Sequence, residues 1–274
     1  MSYEKKCTEI KKKASHLSQA TSNFKSSSFD VYEHFNIEAK SGVLLVCEHA
    51  SNHIPPEFDN LGLSYETKQT HIAWDLGAAE FADRLAVVLN AELLKSSVSR
   101  LVYDCNRPPE AYDAIPEKSE IFEIPGNQNL SIADRKNRAT KVYHPFREYL
   151  SGLAKNAKAL ITVHSFTPIY EGRSRSVEIG VLHDSDTRLA DKILEYSKLA
   201  IDMDVRRNEP YAPSDGVTHT LQVHGIANGI PNVMLEIRND ILSDAELADE
   251  LTEKLALVIT SSLADLDQNK DEVQ

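Results

Sequence analysis

Short, mainly apolar runs alternate along this chain with longer segments of helical periodicity. Residues 43–47 (VLLVC), 160–163 (LITV) and 233–235 (VML) have the length and composition of strands that are buried on both faces. Residues 73–90 and 186–201 instead repeat apolar side chains at helical spacing. This alternation predicts an α/β fold, in which helices cover both faces of a mixed, mostly parallel central sheet.

The remaining segments divide the chain into three parts. Residues 1–36 are polar and rich in Ser and Lys, so we expect a polar N-terminal extension or a peripheral helix there. Residues 37–274 are then predicted to form a single domain. Within it, residues 109–130 are rich in Pro, Glu and Asn, and a loop of that length inside a compact domain is usually a lid or a binding loop.

Two helix boundaries and one further strand are visible in the sequence. Ser131 is predicted to cap a helix that Pro145 kinks or breaks, and Ser243 with Glu246 predicts a capping box for the last helix. Residues 100–105 (RLVYDC) are predicted to form a short strand that stops at the following prolines.

Composition excludes several classes of partner. The formal net charge is 30 − 42 = −12 and no dense basic patch occurs, which argues against nucleic acid and anionic membranes. The three cysteines show no CxxC spacing, so a reducing cytoplasm is expected. No secretory signal or membrane-spanning apolar stretch is visible, and the oligomeric state is left open.

Polar side chains follow each apolar run at the point where the predicted strand ends. In open α/β sheets the ligand lies outside the carboxyl ends of the strands, so these side chains are expected to meet. They are Glu48 and His49, Asn106 and Arg107, His164 and Ser165, and Glu236 and Arg238.

Metal-assisted hydrolysis is the chemistry that uses such a set. A catalytic zinc takes about three nitrogen or oxygen ligands and keeps one position open for water. A carboxylate that does not bind the metal takes the proton of that water, and an arginine recognises a substrate carboxylate. His49, His164, Glu236 and either Arg107 or Arg238 match these roles by residue type.

The sequence resembles the N-formylglutamate amidohydrolase family over roughly residues 40–260. The segments that carry the likeness are VCEHASNHIP, HIAWDLGAAEFADRLA, SRLVYDCNRP, ITVHSFTP, EPYAPSDGVTHTL and PNVMLEIRND. The family is similar to zinc carboxypeptidases, aspartoacylases and zinc-dependent cell-wall amidases. The resemblance implies a three-layer α/β/α sandwich with a mixed sheet of about eight strands.

The resemblance also implies roles for individual residues. It makes His49 and His164 ligands of one zinc ion and Glu236 the general base. The DCNR segment resembles the part of aspartoacylases that holds the substrate. The predicted substrate-binding residues are Asn106, Arg107, Arg238, Arg100, Ser165 and Tyr211. Arg173 and Arg175 add positive charge nearby.

The third metal ligand is left open between two carboxylates. Carboxypeptidase-like sites use His-x-x-Glu, but position 52 here is Asn. The cell-wall amidases take a carboxylate from the start of the next helix, which favours Asp75, and Glu48 is the alternative. His53 and His71 are fallback ligands.

The predicted function is zinc-dependent hydrolysis of an N-formyl or other N-acyl amino acid, similar to N-formyl-L-glutamate. Two alternatives are a zinc peptidase or N-acetylmuramoyl-alanine-type amidase, and a non-catalytic relative that binds a ligand. A serine hydrolase built on Ser165 and His164 is disfavoured, because adjacent strand residues face opposite sides of a sheet.

Overall fold

The structure, a computed structural model, describes the backbone of residues 29–271 and the side chains of residues 29–268. Its strands are β1 Tyr32–Phe35, β2 Val43–Cys47, β3 Glu92–Ser96, β4 Lys118–Ser119, β5 Phe122–Glu123, β6 Ala159–Phe166, β7 Ile169–Tyr170, β8 Arg173–Ser174, β9 Ile179–Leu182, β10 Val205–Arg207 and β11 Asn232–Arg238. Its α-helices are α1 Tyr65–Lys68, α2 Ala78–Leu89, α3 Ile132–Arg138, α4 His144–Ala154, α5 Arg188–Ala200, α6 Asn239–Ser243 and α7 Ala245–Asp271.

Within residues 29–271, seven strands form the central sheet in the order β1-β3-β2-β6-β11-β9-β10. Strands β3, β2, β6 and β11 run parallel to their neighbours within this group. At the two sides of the group, β1 is antiparallel to β3 and β9 is antiparallel to β11. The mixed, mostly parallel sheet predicted from the sequence is therefore confirmed, and the described part of the chain contributes seven strands where about eight were expected.

Strand alternation divides the core into two layers. Val43, Leu45 and Cys47 face a layer that contains buried residues of α2, α5 and α7. Leu44 and Val46 face the opposite layer, which contains buried residues of α4 and the turns after β3. Because side chains alternate along a strand, the polar residues at even positions near the strand ends face this second layer.

The predicted extension over residues 1–36 is wrong at its end. Tyr32–Phe35 forms strand β1 and pairs with β3 from Tyr32 opposite Ser96 to Phe35 opposite Leu93. The segment YEHF mixes polar and apolar residues because an edge strand has one neighbour and keeps part of its surface in water. Residues 1–28 lie outside the described part of the chain.

The strand predicted over residues 100–105 is also wrong. The strand of this region is β3, and residues 97–107 form a series of buried turns after it. The Ser99 hydroxyl accepts a hydrogen bond from the backbone of Leu101 at 3.2 Å, and the Ser99 carbonyl accepts one from Val102 at 2.9 Å. These local bonds replace strand pairing, so Leu101 and Val102 enter the core from a turn.

The helix boundaries are partly as predicted. Ser131 caps α3 in a capping box with Asp134. Instead of a break at Pro145, a wide π-helical turn over Ala139–Tyr143 joins α3 to α4, and Pro145 lies in the first turn of α4. The predicted capping box of Ser243 with Glu246 is wrong. The helix is capped by Asp244, whose carboxylate accepts hydrogen bonds from the backbone nitrogens of residues 246 and 247.

Residues 109–130 contain two 3-10 turns and the small β4–β5 hairpin. Ile115, Ile124 and Asn127 of this segment are buried. The segment is thus packed on the second layer of the core, and its role as a lid stays a prediction. Within the described residues, no helix is both long and apolar enough to cross a membrane.

Candidate metal centre

Three buried side chains converge at the carboxyl ends of β2 and β6. Nδ1 of His49 lies 3.3 Å from Oδ2 of Asp75, and Nδ1 of His164 lies 2.9 Å from the same oxygen. The two Nδ1 atoms are 3.2 Å apart. The residues are 5%, 2% and 2% exposed, in the order His49, Asp75 and His164.

These spacings fit a metal ion. Ligand atoms held tetrahedrally at zinc–ligand distances of about 2.0–2.1 Å lie roughly 3.3 Å from one another. The three atoms have separations close to that value, and together they form a group able to hold a metal ion. We refer to His49, Asp75 and His164 as the triad.

The backbone brings Asp75 to the two histidines. Its backbone nitrogen donates to the carbonyl of His49 at 2.9 Å, directly after β2 ends. Two residues later Gly77 has φ 80°, which turns the chain into α2. A Cβ at Gly77 would lie 2.7 Å from Cβ of Leu242, so glycine is required there for space as well as for conformation.

Each histidine of the triad meets a second carboxylate through its other ring nitrogen. Nε2 of His49 lies 2.7 Å from Oδ1 of Asp104, and Nε2 of His164 lies 3.1 Å from Oε2 of Glu48. Metal-binding histidines commonly donate this second N–H to a carboxylate, which fixes the ring and its tautomer. Both rings therefore present Nδ1 to the same point.

The charges around the triad favour a cation. Burial alone would lower the pKa of His49, but the carboxylates of Asp104 and Asp75 raise it. Burial alone would raise the pKa of Asp75, but the Arg100 guanidinium and His49 hold it well below the usual value. Burial would also lower the pKa of His164, but the negative charge of Glu48 raises it well above its usual value. Buried carboxylates of this kind are typically paired or bound to metal.

Glu236 lies beside the triad on the neighbouring strand. It is opposite His164 in the parallel register of β11 and β6, so both side chains project to the same face. It is 5% exposed, and its Oε2 has no hydrogen-bond partner among the residues described. Burial raises the pKa of Glu236 to about 7.

Arg100 is the cation nearest to these carboxylates. Its Nη2 lies 3.0 Å from Oδ1 of Asp75, and its Nη1 lies 3.2 Å from Nδ1 of His49. Its Nε donates to the carbonyl of Ile72 at 3.2 Å, and Nη2 also donates to the carbonyl of His71. The guanidinium is thus held against the triad by the loop that precedes Asp75.

The structure brings Asp75, rather than the alternative Glu48, to the triad. Glu48 lies behind His164, and neither fallback histidine joins the group: His53 is exposed and His71 pairs with Glu120 at 2.6 Å. Asn52, at the place of the glutamate in His-x-x-Glu, donates to the side chain of Gln69 at 3.1 Å. The carboxylate of the group comes instead from Asp75, just before α2.

Asn106 and Arg107 have contacts that differ from their predicted role in substrate binding. The Asn106 amide donates to the carbonyl of Val217 at 2.6 Å and accepts from the backbone nitrogen of Thr220 at 3.0 Å. Arg107 pairs with Asp113 at 2.7 Å and donates to the carbonyl of residue 216 at 2.8 Å. Both side chains hold the loop before residue 220 and are occupied by it.

Ser165 and Arg238 are also engaged by other parts of the protein. The Ser165 hydroxyl donates to the carbonyl of Leu76 at 2.8 Å, which leaves a structural contact in place of the predicted substrate contact. Arg238 pairs with Asp240 at 2.8 Å and approaches Glu178 at 3.5 Å. Its binding of a substrate carboxylate stays a prediction, which requires an exchange of partners.

Tyr211 lies near Glu236 and Arg175, and its role in substrate binding stays a prediction. Its hydroxyl accepts a hydrogen bond from Nη1 of Arg175 at 3.2 Å. Burial and the nearby charge of Glu236 both raise the pKa of Tyr211.

Sequence reasoning missed Asp104 as a partner of His49. Its position inside DCNR, directly after an apolar run, is the signal that could have found it. The sequence indicates Arg175 only as a nearby positive charge, because nothing in it pairs this arginine with Tyr211.

A model of the N-formylglutamate amidohydrolase family matches residues 41–243. The chain belongs to the N-formylglutamate amidohydrolase family. This confirms the resemblance seen in the strand-end motifs and identifies the protein as an amidohydrolase.

Two solved structures are similar to this N-formylglutamate amidohydrolase family member. A gene product of Agrobacterium tumefaciens is 44% identical with a TM-score of 0.84, covering 89% of this chain and 99% of that chain. The N-formylglutamate amidohydrolase of Ralstonia eutropha JMP134 is 16% identical with a TM-score of 0.58, covering 88% of this chain and 100% of that chain. Among curated proteins, we find no sequence match.

Proposed function

We propose that the protein is a zinc-dependent hydrolase that cleaves the amide bond of an N-formyl, or other N-acyl, acidic amino acid similar to N-formyl-L-glutamate. The observation that carries this proposal is the position of Glu236. A buried carboxylate with an unpaired oxygen lies beside a group of three metal-capable side chains on the same face of the sheet. Such a pairing matches the needs of hydrolysis by activated water.

The triad would hold the ion through Nδ1 of His49, Nδ1 of His164 and the carboxylate of Asp75. A zinc ion bound there would polarise the acyl carbonyl and lower the pKa of water to near 7. Asp104 and Glu48 keep the two imidazoles oriented, so that the ligand atoms need no rearrangement.

Glu236 is positioned to move the proton. Its carboxylate takes a proton from the attacking water while the water oxygen adds to the acyl carbon. The same carboxyl group then gives that proton to the amide nitrogen as the C–N bond breaks, which releases the acyl acid and the free amino acid. A pKa of about 7 suits both the acceptance and the return of a proton near neutral pH.

The test is a substrate screen with metal control. Zinc-loaded protein and a chelated sample are assayed for release of amine from N-formyl, N-acetyl and N-succinyl derivatives of glutamate, aspartate and a neutral amino acid. Zinc-dependent release from an acidic member is expected. Activity that survives complete removal of the metal would overturn the proposed chemistry.

Replacement of Glu236 by Gln should separate catalysis from metal binding. We expect turnover to fall by about 10²–10⁴-fold, because the amide cannot accept the proton, while bound zinc stays at the wild-type level. Retention of turnover in this variant contradicts the role as general base.

The pH dependence supplies a second readout of the same group. Glu236 must be ionised to act, so kcat/KM should fall by about tenfold per pH unit below its pKa. A bound cation favours the ionised form of Glu236, so this acidic limb of the pH profile, where kcat/KM falls, should lie at or below pH 7. The limb should be absent in Glu236→Gln.

A further inference from the structure

The guanidinium of Arg175 is surrounded by three aromatic rings. Its Cζ lies 4.5 Å from the ring centre of Tyr170, 5.1 Å from that of Tyr211 and 5.6 Å from that of Phe166. A guanidinium packed on ring faces is held by cation–π attraction, while the N–H groups at its edge can still donate. We call Arg175 and these three rings the aromatic cage.

One ring of the aromatic cage, that of Phe166, lies on the same strand as His164 of the triad. Phe166 follows His164 by two positions in β6, so both side chains project to the same face of the sheet. Two residues of a strand span about 7 Å. The aromatic cage therefore begins one such step beyond the triad.

A second ring of the aromatic cage, that of Tyr211, follows a segment that crosses β9, the strand beside Glu236. Gly180 of β9 is opposite Glu236 in the register with β11. The carbonyl oxygen of Glu209 lies only 2.0 Å from where a Cβ of Gly180 would be, so the chain that leads to Tyr211 passes directly over this glycine. Two elements thus place the aromatic cage beside the same catalytic group.

Arg175 differs from the other candidate arginines in its partners. Arg100, Arg107 and Arg238 each pair with a carboxylate of the protein at 3.5 Å or less. Within residues 29–268, Arg175 forms no ion pair, and the side-chain hydrogen bond of its guanidinium goes to the hydroxyl of Tyr211. A partly buried arginine without a carboxylate of its own is suited to bind an anion from outside.

The geometry points to Arg175 as the residue that selects acidic substrates, by binding the distal carboxylate of an N-acyl dicarboxylic amino acid. This inference rests on the proposed function. In an N-acyl glutamate the side-chain carboxylate lies three carbon–carbon bonds from Cα, whereas the α-carboxylate lies one bond away. Arg100 touches the triad and is already paired with Asp75, whereas Arg175 lies farther out and has no carboxylate partner among the described residues.

The test compares two substrates of nearly equal size, N-formylglutamate and N-formylglutamine, which differ in the charge of the distal group. For Arg175→Met we expect kcat/KM on N-formylglutamate to fall by about 10- to 100-fold, as for loss of a charge-assisted hydrogen bond. The loss should lie mainly in KM. Activity on N-formylglutamine should stay within about threefold of the wild type, because that substrate has no distal charge to lose.

Arg173→Met is the matched control, since it removes the same charge two residues earlier at an exposed position of β8. It should leave both substrates unchanged. Arg175→Lys should recover part of the discrimination, because a lysine keeps the charge and loses the planar fork.

The outcomes separate the two proposals. Equal losses on both substrates in Arg175→Met would show a structural role, and no loss on either would show no role, so both results overturn the inference while the hydrolase remains. Wild-type protein that hydrolyses neither compound, nor any other N-acyl amino acid, rejects the proposed function and the inference with it.

Discussion

The triad and the aromatic cage lie on one face of the sheet, yet they are held in place in different ways. Each imidazole of the triad meets the other members of the triad at Nδ1 and a carboxylate at Nε2, through a hydrogen bond to Asp104 for His49 and a charge contact with Glu48 at 3.1 Å for His164. Arg175 is held mainly by ring faces, and exposed chain of the β7–β8 hairpin leads to it. Under the proposed function, the triad would supply a fixed chemistry, whereas the aromatic cage would be the part in which substrate choice can change.

Loss of a triad histidine should have the largest effect on the metal. For His49→Ala we expect zinc affinity to fall by more than about 100-fold, beyond the effect of losing a hydrogen-bonding partner of a ligand. Zinc content after dialysis and competition with a chelating dye measure this. His53→Ala, four residues on and exposed, is the control and should bind zinc as the wild type does. Equal zinc affinity in His49→Ala and His53→Ala would contradict the assignment of His49 as a metal ligand.

The carboxylates of Asp104 and Glu48, which contact the second ring nitrogens of the two histidines, should contribute less to zinc affinity than the histidines themselves. We call them the outer carboxylates. Asp104→Asn and Glu48→Gln are each expected to weaken zinc binding by about 10–100-fold, because the neutral amide holds the imidazole N–H less strongly. The same dye competition measures the change. Asp113→Asn, which disturbs the exposed pair with Arg107, should leave zinc affinity unaltered. Full affinity in both outer-carboxylate variants would mean that the triad is rigid without them.

Gly180→Ala should disturb the neighbourhood of the aromatic cage and leave the triad intact. The new Cβ would meet the Glu209 carbonyl at 2.0 Å, so we expect a loss of about 1–3 kcal/mol in the free energy of unfolding and a raised KM at unchanged zinc affinity. Urea unfolding measures the first quantity. In Gly152→Ala nothing lies within 4 Å of the new Cβ, and α4 should gain up to about 1 kcal/mol. A Gly180→Ala protein as stable as the wild type would contradict the close approach.

The sequence placed the two histidines of the triad and left its third member open between Asp75 and Glu48. His49 and His164 each follow an apolar strand, and Asp75 precedes a helix of clear periodicity. Parallel neighbours bring such strand ends to one edge whatever the details of the loops. For this reason the two histidines could be named from strand ends, whereas the family likeness only favoured Asp75 over Glu48 and the structure was needed to place it.

The partners of the polar side chains could not be predicted in the same way. Arg107 and Asn106 are occupied by carbonyl groups more than 100 residues away in sequence. An arginine that binds a loop carbonyl and one that binds a substrate look alike as residue types, and only long-range packing separates them. The turn around Ser99 was missed for a related reason, since a serine hydroxyl can replace strand pairing without changing the apolar pattern.

The triad also has a consequence for the folding of the whole chain. Its three residues are separated by 26 and 89 positions, so a bound ion would link three segments that are far apart in the unfolded polypeptide. An ion that binds only the native state adds RT ln(1 + [L]/Kd) to stability, about 4 kcal/mol at a thousandfold excess over Kd. The melting temperature of this protein would then depend on free metal concentration, and chelation during purification would weaken the fold as well as the catalyst.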